Sequence, residues 1–180
     1  MAQYLPGAIT GYAQARAKDS KYQASGSTTH CNEFLCDLVE DIIEEPCEAL
    51  RKADLSAPAL ANVQCDQLKA SAKWQAMSFT SDPKGVFEAA QKAANNGHLV
   101  VVTHKNPDAG GHGHVALVVP APPPMFVSGK WGMAVPKIAQ AGPVITVTGA
   151  TPQSVYAALD LSWGFGPARK PDMELFTYVG

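Results

Sequence analysis

Two blocks of β-branched, apolar residues bracket a loop made of turn formers, and this pattern constrains the fold more than any other feature of the 180-residue chain. His98-Leu-Val-Val-Val-Thr103 and His114-Val-Ala-Leu-Val-Val119 each read as a buried strand. Between them lies KNPDAGGHG (105–113), which is rich in Gly, Pro, Asn and Asp and cannot continue a strand. The pair is expected to form a hairpin with a long tip.

The helical signals lie before this pair. Cys31, Phe34, Leu35, Leu38, Val39, Ile42 and Ile43 recur at helical spacing and form one apolar stripe. Asp37, Glu40, Asp41, Glu44 and Glu45 occupy the opposite face. Thr28 and Thr29 precede the stripe as candidate N-caps, and Pro46 is expected to stop the helix. Cys31 therefore falls in the first turn, on the inward face. A second helix is expected from Pro83 through GVFEAAQKAAN, ended by Asn95, Asn96 and Gly97. Weaker helical readings cover residues 13–19, 66–77 and 151–160, the last with Thr151 as cap and Pro152 behind it. Residues 54–65 read as loop, and APPP (121–124) breaks the sheet. VITVT (144–148) and ELFTYV (174–179) read as further strands. Helices followed by mostly antiparallel strands give an α+β class, and with no repeat and no clean linker, residues 1–180 read as a single domain.

Composition narrows the function classes. Hydrophobic residues make up 46% and charged residues 17%, which suits a chain with a packed core. The net charge of -2 gives no general attraction to nucleic acid, and there is no Lys/Arg run. No stretch approaches the roughly 20 apolar residues of a transmembrane helix. The N-terminal segment lacks a basic region followed by an apolar run, so a cleaved signal peptide is not expected. The protein is then expected to be made in the cytoplasm, and either kept there or exported by a route that needs no such signal. Cys31, Cys36, Cys47 and Cys65 form no CxxC pair, so a zinc ribbon or thioredoxin-like site is not expected. Cys36, Cys47 and Cys65 could supply one disulfide in an oxidising compartment, or be three buried thiols.

A cysteine in the first turn of a helix has a chemical advantage. Unpaired backbone N–H groups and the positive end of the helix dipole favour thiolate over thiol, and the same donors can bind an oxyanion. Such a thiolate needs a base, and His114, at the start of a strand after a Gly-rich loop, is placed to supply one. A core cysteine is the plain alternative for Cys31. His112 competes with His114, since residues two apart in an extended segment share a face. His30, beside Cys31, and Asp108, in the loop, are candidate substrate contacts; a loop histidine and a simple Asn-Pro-Asp turn are the alternatives. His98 and His104 bracket the first strand without an assigned role. Trp131 and Trp163 could stack on a glycan or belong to the core. His104, Asp108, His112 and His114 also permit a metallohydrolase reading, because His-x-His can bind zinc.

Four segments, in order, resemble the first family of type VI secretion amidase effectors, within the NlpC-type papain-like cysteine peptidases. They are HCNEFL (30–35), EAAQKAANNGHLVVV (88–102), GHVALVV (113–119) and WGFGPARKPDMELFTYV (163–179), so the resemblance covers most of the chain from residue 30. It implies a papain-like fold with the nucleophile at a helix N-terminus packed on a mostly antiparallel sheet. Cys31 falls on the nucleophile and His114 on the base. PMFVSG (124–129) looks like the region of a third polar side chain near the histidine, which points to Ser128. The chain departs from the family pattern in having Asn32 and Glu33, rather than small residues, after the cysteine.

The implied activity is that of a peptidoglycan amidase cutting the stem peptide between D-glutamate and meso-diaminopimelate, without metal or other cofactor. The implied partners are type VI secretion components and a cognate immunity protein, and the implied place of action is the periplasm of a target cell. A papain-like hydrolase acting on a protein substrate, and a binding module without catalysis, remain the alternatives.

Overall fold

The computed structural model describes residues 2–23, 30–77, 83–108, 110–146, 149–150 and 154–180. Its elements are α1 (Pro6–Ala17), α2 (Cys31–Ile43), α3 (Ala61–Ala70), β1 (Trp74–Met77), α4 (Pro83–Asn95), β2 (Val100–His104), β3 (His114–Val118), β4 (Phe126–Ser128), β5 (Met133–Val135), β6 (Lys137–Gly142), β7 (Ile145–Thr146), β8 (Gly149–Ala150), β9 (Ser154–Asp160), α5 (Leu161–Gly164) and β10 (Met173–Tyr178). Short 3-10 turns lie at Ser20–Tyr22, Glu48–Leu50 and Pro167–Asp172. No helix among the described residues is long and apolar enough to cross a membrane.

The class is α+β. Six strands form one antiparallel sheet in the order β1-β10-β2-β3-β6-β9, and β4–β5 and β7–β8 are separate two-stranded ribbons. The β2–β3 hairpin forms as expected, with Val100 opposite Val118 and His104 opposite His114. Both strands are buried along their whole length because helices cover both faces of the sheet. Val101, Val115, Leu117, Ala139 and Ala141 pack under α1, α2 and α3, whereas Val100, Val102, Ala116, Val118 and Ile138 pack under α4, Leu161 and Phe165.

α2 begins where the apolar stripe begins. The Phe34 N–H donates to His30 C=O at 2.8 Å, which sets His30 as the residue before the first turn. Phe34, Leu35, Leu38 and Val39 are fully buried, and each such side chain contributes about 1.5–3 kcal/mol of apolar burial. The helix ends at a left-handed Glu44 with φ 58°, two residues before Pro46. Tyr22 then latches the preceding segment to it: its ring stacks edge-on against Phe34 at 5.3 Å and its hydroxyl donates to Asp37. The candidate caps Thr28 and Thr29 lie outside the described residues, as do Thr151 and Pro152.

Several expectations are corrected. Residues 154–160 are the edge strand β9 rather than a helix, because they pair with β6 and are crossed on one face by α1. The helix expected at 66–77 starts earlier, at Ala61, within the supposed loop, and gives way to β1 at Trp74. The first helix covers residues 6–17 rather than 13–19. Of the VITVT strand, Ile145–Thr146 form only a ribbon with Gly149–Ala150; the sheet strand is the unexpected KIAQAG of β6. Of the two readings of Cys36, Cys47 and Cys65, the structure has the three buried thiols, and Cys31 is buried as well.

Candidate active site

Cys31 is the first residue of α2, with 1% of its surface exposed. The helix start leaves the N–H groups of Asn32 and Glu33 without an intrahelical acceptor. This end of the helix is fixed from two sides. Asn32 Nδ2 donates to the Ala59 carbonyl at 2.8 Å, and Gln64 Nε2 donates to the Asn32 carbonyl at 3.1 Å. The other three cysteines are chemically unlike a nucleophile. Burial pushes the Cys47 thiol up to about 11 and the Cys65 thiol up to about 12, and raises Cys36 still further.

His114 opens β3 and is held on three sides. Its Nε2 donates to Gln140 Oε1 at 2.7 Å, and the Phe165 ring lies 4.6 Å from the imidazole centroid. Gly142, two residues beyond Gln140 on the same face of β6, leaves room for the ring. With Nε2 committed as donor, Nδ1 carries the lone pair of a neutral imidazole. About 4% of His114 stays exposed. Burial lowers its pKa to about 4, against the opposing pull of the Gln140 bond, so the ring is neutral near pH 7.

Cys31 and His114 lie on opposite sides of a boundary in the fold. Strand alternation turns Val115 and Leu117 toward the core under α2, to which Cys31 belongs, and His114 toward Gln140 and Phe165. Among the hydrogen bonds of the described residues, none joins the two side chains. They share a neighbour instead. Arg169, in the 3-10 turn before β10, is within electrostatic reach of Cys31, His114 and His104. Burial holds its guanidinium below the usual range, and Cys31 draws it back up.

The remaining sequence candidates divide. Ser128 sits in the β4–β5 ribbon, where its Oγ accepts from the Trp131 N–H at 3.3 Å, and the polar side chain bonded to His114 is Gln140. His30 is half-buried with Nδ1 3.2 Å from Glu33 Oε2, beside Cys31. Asp108 and His112 are exposed on the 105–113 loop, where Asp108 N–H donates to Asn106 Oδ1 and its carbonyl accepts from Gly111, an ordinary turn. Asn62 of α3 ties this loop down, donating to the Gly111 carbonyl at 3.1 Å and accepting from the Asn106 N–H at 2.9 Å.

His104 is buried opposite His114 with its Nδ1 unpartnered, and burial first, then Arg169, lowers its pKa. Trp131 packs on Phe87, and Trp163 lies under the Lys130 ammonium at 4.2 Å. The ligand atoms of His104, Asp108, His112 and His114 do not converge. The group that does converge among the described residues is Cys36, Asp37 and Glu40, whose carboxylates are already bonded to Lys21, Tyr22 and Arg51.

Gln140 and Arg169 are the functional candidates that sequence reasoning missed. Gln140 had a usable signal, a lone amide inside the small, apolar stretch IAQAG; Arg169 had none. No protein-family model matches the chain, and no curated protein does either.

Proposed function

We propose that the chain is a papain-like cysteine amidase in which Cys31 is the nucleophile, His114 the base and Gln140 the group that orients the base. The carrying observation is the buried, neutral His114, with Nε2 spent on Gln140 and the Nδ1 lone pair left for a proton. A histidine held in this tautomer at the start of β3, the strand on which the cysteine-bearing α2 packs, fits general-base activation of a thiol.

Catalysis in this reading requires the thiol and Nδ1 to come within hydrogen-bond distance when substrate binds, as catalytic bonds are often long without it. Nδ1 then takes the Cys31 proton and Sγ attacks the amide carbonyl. The Asn32 and Glu33 N–H groups are placed to stabilise the oxyanion. The imidazolium protonates the leaving amine, and the neutral ring next activates water to release the acyl group.

The resemblance of residues 30–35, 88–102, 113–119 and 163–179 to type VI amidase effectors supports the stem peptide of peptidoglycan as substrate, with the D-glutamyl–meso-diaminopimelate bond as the bond cut. It equally supports delivery into a rival cell's periplasm and inhibition by an immunity protein. Digestion of purified Gram-negative peptidoglycan by wild type and by Cys31→Ala tests this, with the products separated and weighed. New fragments from wild type alone, of masses that name the bond, are expected. No fragments from folded wild type would remove the cell wall as substrate and turn the search toward protein amides.

A further inference from the structure

The chain has three arginines, and two of them are saturated by carboxylates. Arg16 binds both oxygens of Asp41 at 2.6 and 2.7 Å, and Arg51 binds both oxygens of Glu40. Arg169 differs. Its backbone N–H bonds the Gly166 carbonyl, but among the described residues its guanidinium makes no hydrogen bond and no ion pair, although it is half-buried. A guanidinium withdrawn from water without an anion is costly, and its planar fork suits a carboxylate in bidentate geometry.

Its place is fixed by the chain on either side. Four residues before it, Phe165 rests on His114, and four residues after it, Met173 pairs with His104, itself opposite His114. The turn carrying Arg169 thus spans the end of β2 and β3 where the imidazole lies. Among the described residues, the charged and titratable groups that couple to this corner are Cys31, His104, His114 and Asp172. Asp172 acts on His104, and among the described residues no carboxylate forms an ion pair with Arg169.

We propose that Arg169 is a substrate-recognition residue that binds a free carboxylate adjacent to the scissile amide. The substrate class is then an acyl donor with an anionic group within about one residue of the attacked carbonyl. This rests on the amidase reading for its chemistry, while the anion site rests on Arg169 alone.

The test uses two peptides identical except at the carboxyl beside the scissile bond: a γ-D-glutamyl amide with a free α-carboxylate, and its α-carboxamide counterpart. Wild type is expected to favour the carboxylate by roughly tenfold to a hundredfold in kcat/KM, the discrimination typical of a charge-assisted pair. Arg169→Met should lose most of that preference, with kcat/KM falling much further on the carboxylate peptide than on the carboxamide, and Arg169→Lys should keep part of it. Equal loss on both peptides, or an unchanged preference, would overturn the proposal. Iodoacetamide alkylation of Cys31 across pH guards against the other role: a raised thiol pKa in Arg169→Met with no change in preference makes Arg169 a thiolate stabiliser instead.

Calorimetry of N-acetyl-D-glutamate with Cys31→Ala separates the two readings. Binding that the further change Arg169→Met abolishes, together with no cleavage of either peptide by wild type, keeps the anion site and removes the amidase. Absence of binding together with absence of preference removes the anion site.

Discussion

A methyl group on Gly142 would stand 2.7 Å from His114 Cε1 and 3.4 and 3.5 Å from the two ring nitrogens. The imidazole is therefore seated against bare backbone, and β6 has a glycine there because no side chain fits beside the ring. Gly164 does the same for Gln140, since a Cβ there would lie 2.9 Å from Gln140 Cδ. Gly142→Ala must turn His114 and strain its bond to Gln140. The expected outcome is a fall in kcat of at least about tenfold with a stability loss of about 1–3 kcal/mol, the usual cost of overpacking. Steady-state kinetics beside urea unfolding checks it. Full activity in Gly142→Ala would mean that the seat of the ring does not matter to the reaction.

Gln140 offers a sharper test, because its two replacements act in opposite ways. Gln140→Leu removes the acceptor on Nε2 and frees the imidazole tautomer, so kcat should fall by one to two orders of magnitude with KM little changed. Gln140→Glu places a carboxylate on the same nitrogen and stabilises the imidazolium. The pKa of His114 should rise from about 4, and the acid limb of the kcat/KM profile should move to higher pH. An acid limb in the same place for Gln140→Glu and wild type would show that this limb does not report His114.

Burial of neutral His114 also predicts how stability depends on pH. The folded ring has a pKa of about 4 and the unfolded ring one of about 6.5. Between these values the unfolded chain takes up a proton that the folded chain refuses. The contribution of His114 is therefore fully present above pH 6.5 and is lost as pH falls toward 4, on the order of 3 kcal/mol in all. Urea unfolding at pH 7 and pH 4.5 should show a larger drop for wild type than for His114→Asn, which lacks this titration. Equal drops would place the histidine pKa near its ordinary value.

The legible parts of this fold were those where local sequence and tertiary environment agree. The valine-rich β2 and β3 are buried on both faces, so an unbroken β-branched run is what the sheet demands. α2 and α4 have apolar stripes that match the faces they bury. β6 and β9 were missed for contrary reasons. KIAQAG, Ile138 apart, consists of residues with weak strand preference that are held extended by neighbours on both sides. SVYAALD, at the sheet edge, is only half-buried and carries no alternation. Missing β6 hid Gln140, and the third polar residue was sought in the neighbouring ribbon at Ser128. Arg169 was out of reach for a different reason, because a guanidinium becomes informative only when the absence of its carboxylate is visible.

Asn62 links α3 to the loop that leads into His114, and it is the only side chain among the described residues that bonds both ends of that loop, at Asn106 and Gly111. The loop contributes Asp108 and His112, both exposed. Asn62→Ala removes two hydrogen bonds that are part-buried, at a cost of about 1–2 kcal/mol in stability. If the loop contacts substrate, its ordering is part of binding, and KM should rise several-fold while kcat stays within about twofold. Asp108→Ala and His112→Ala, which leave the anchor intact, should then raise KM without lowering stability. If Asn62→Ala lowers kcat instead, and the two loop variants do nothing, the anchor serves to place His114 at the start of β3 and the loop is a turn with no substrate role. Gly113, which stands between Asn62 and His114, makes that second route physically direct, so the KM-against-kcat split decides between them.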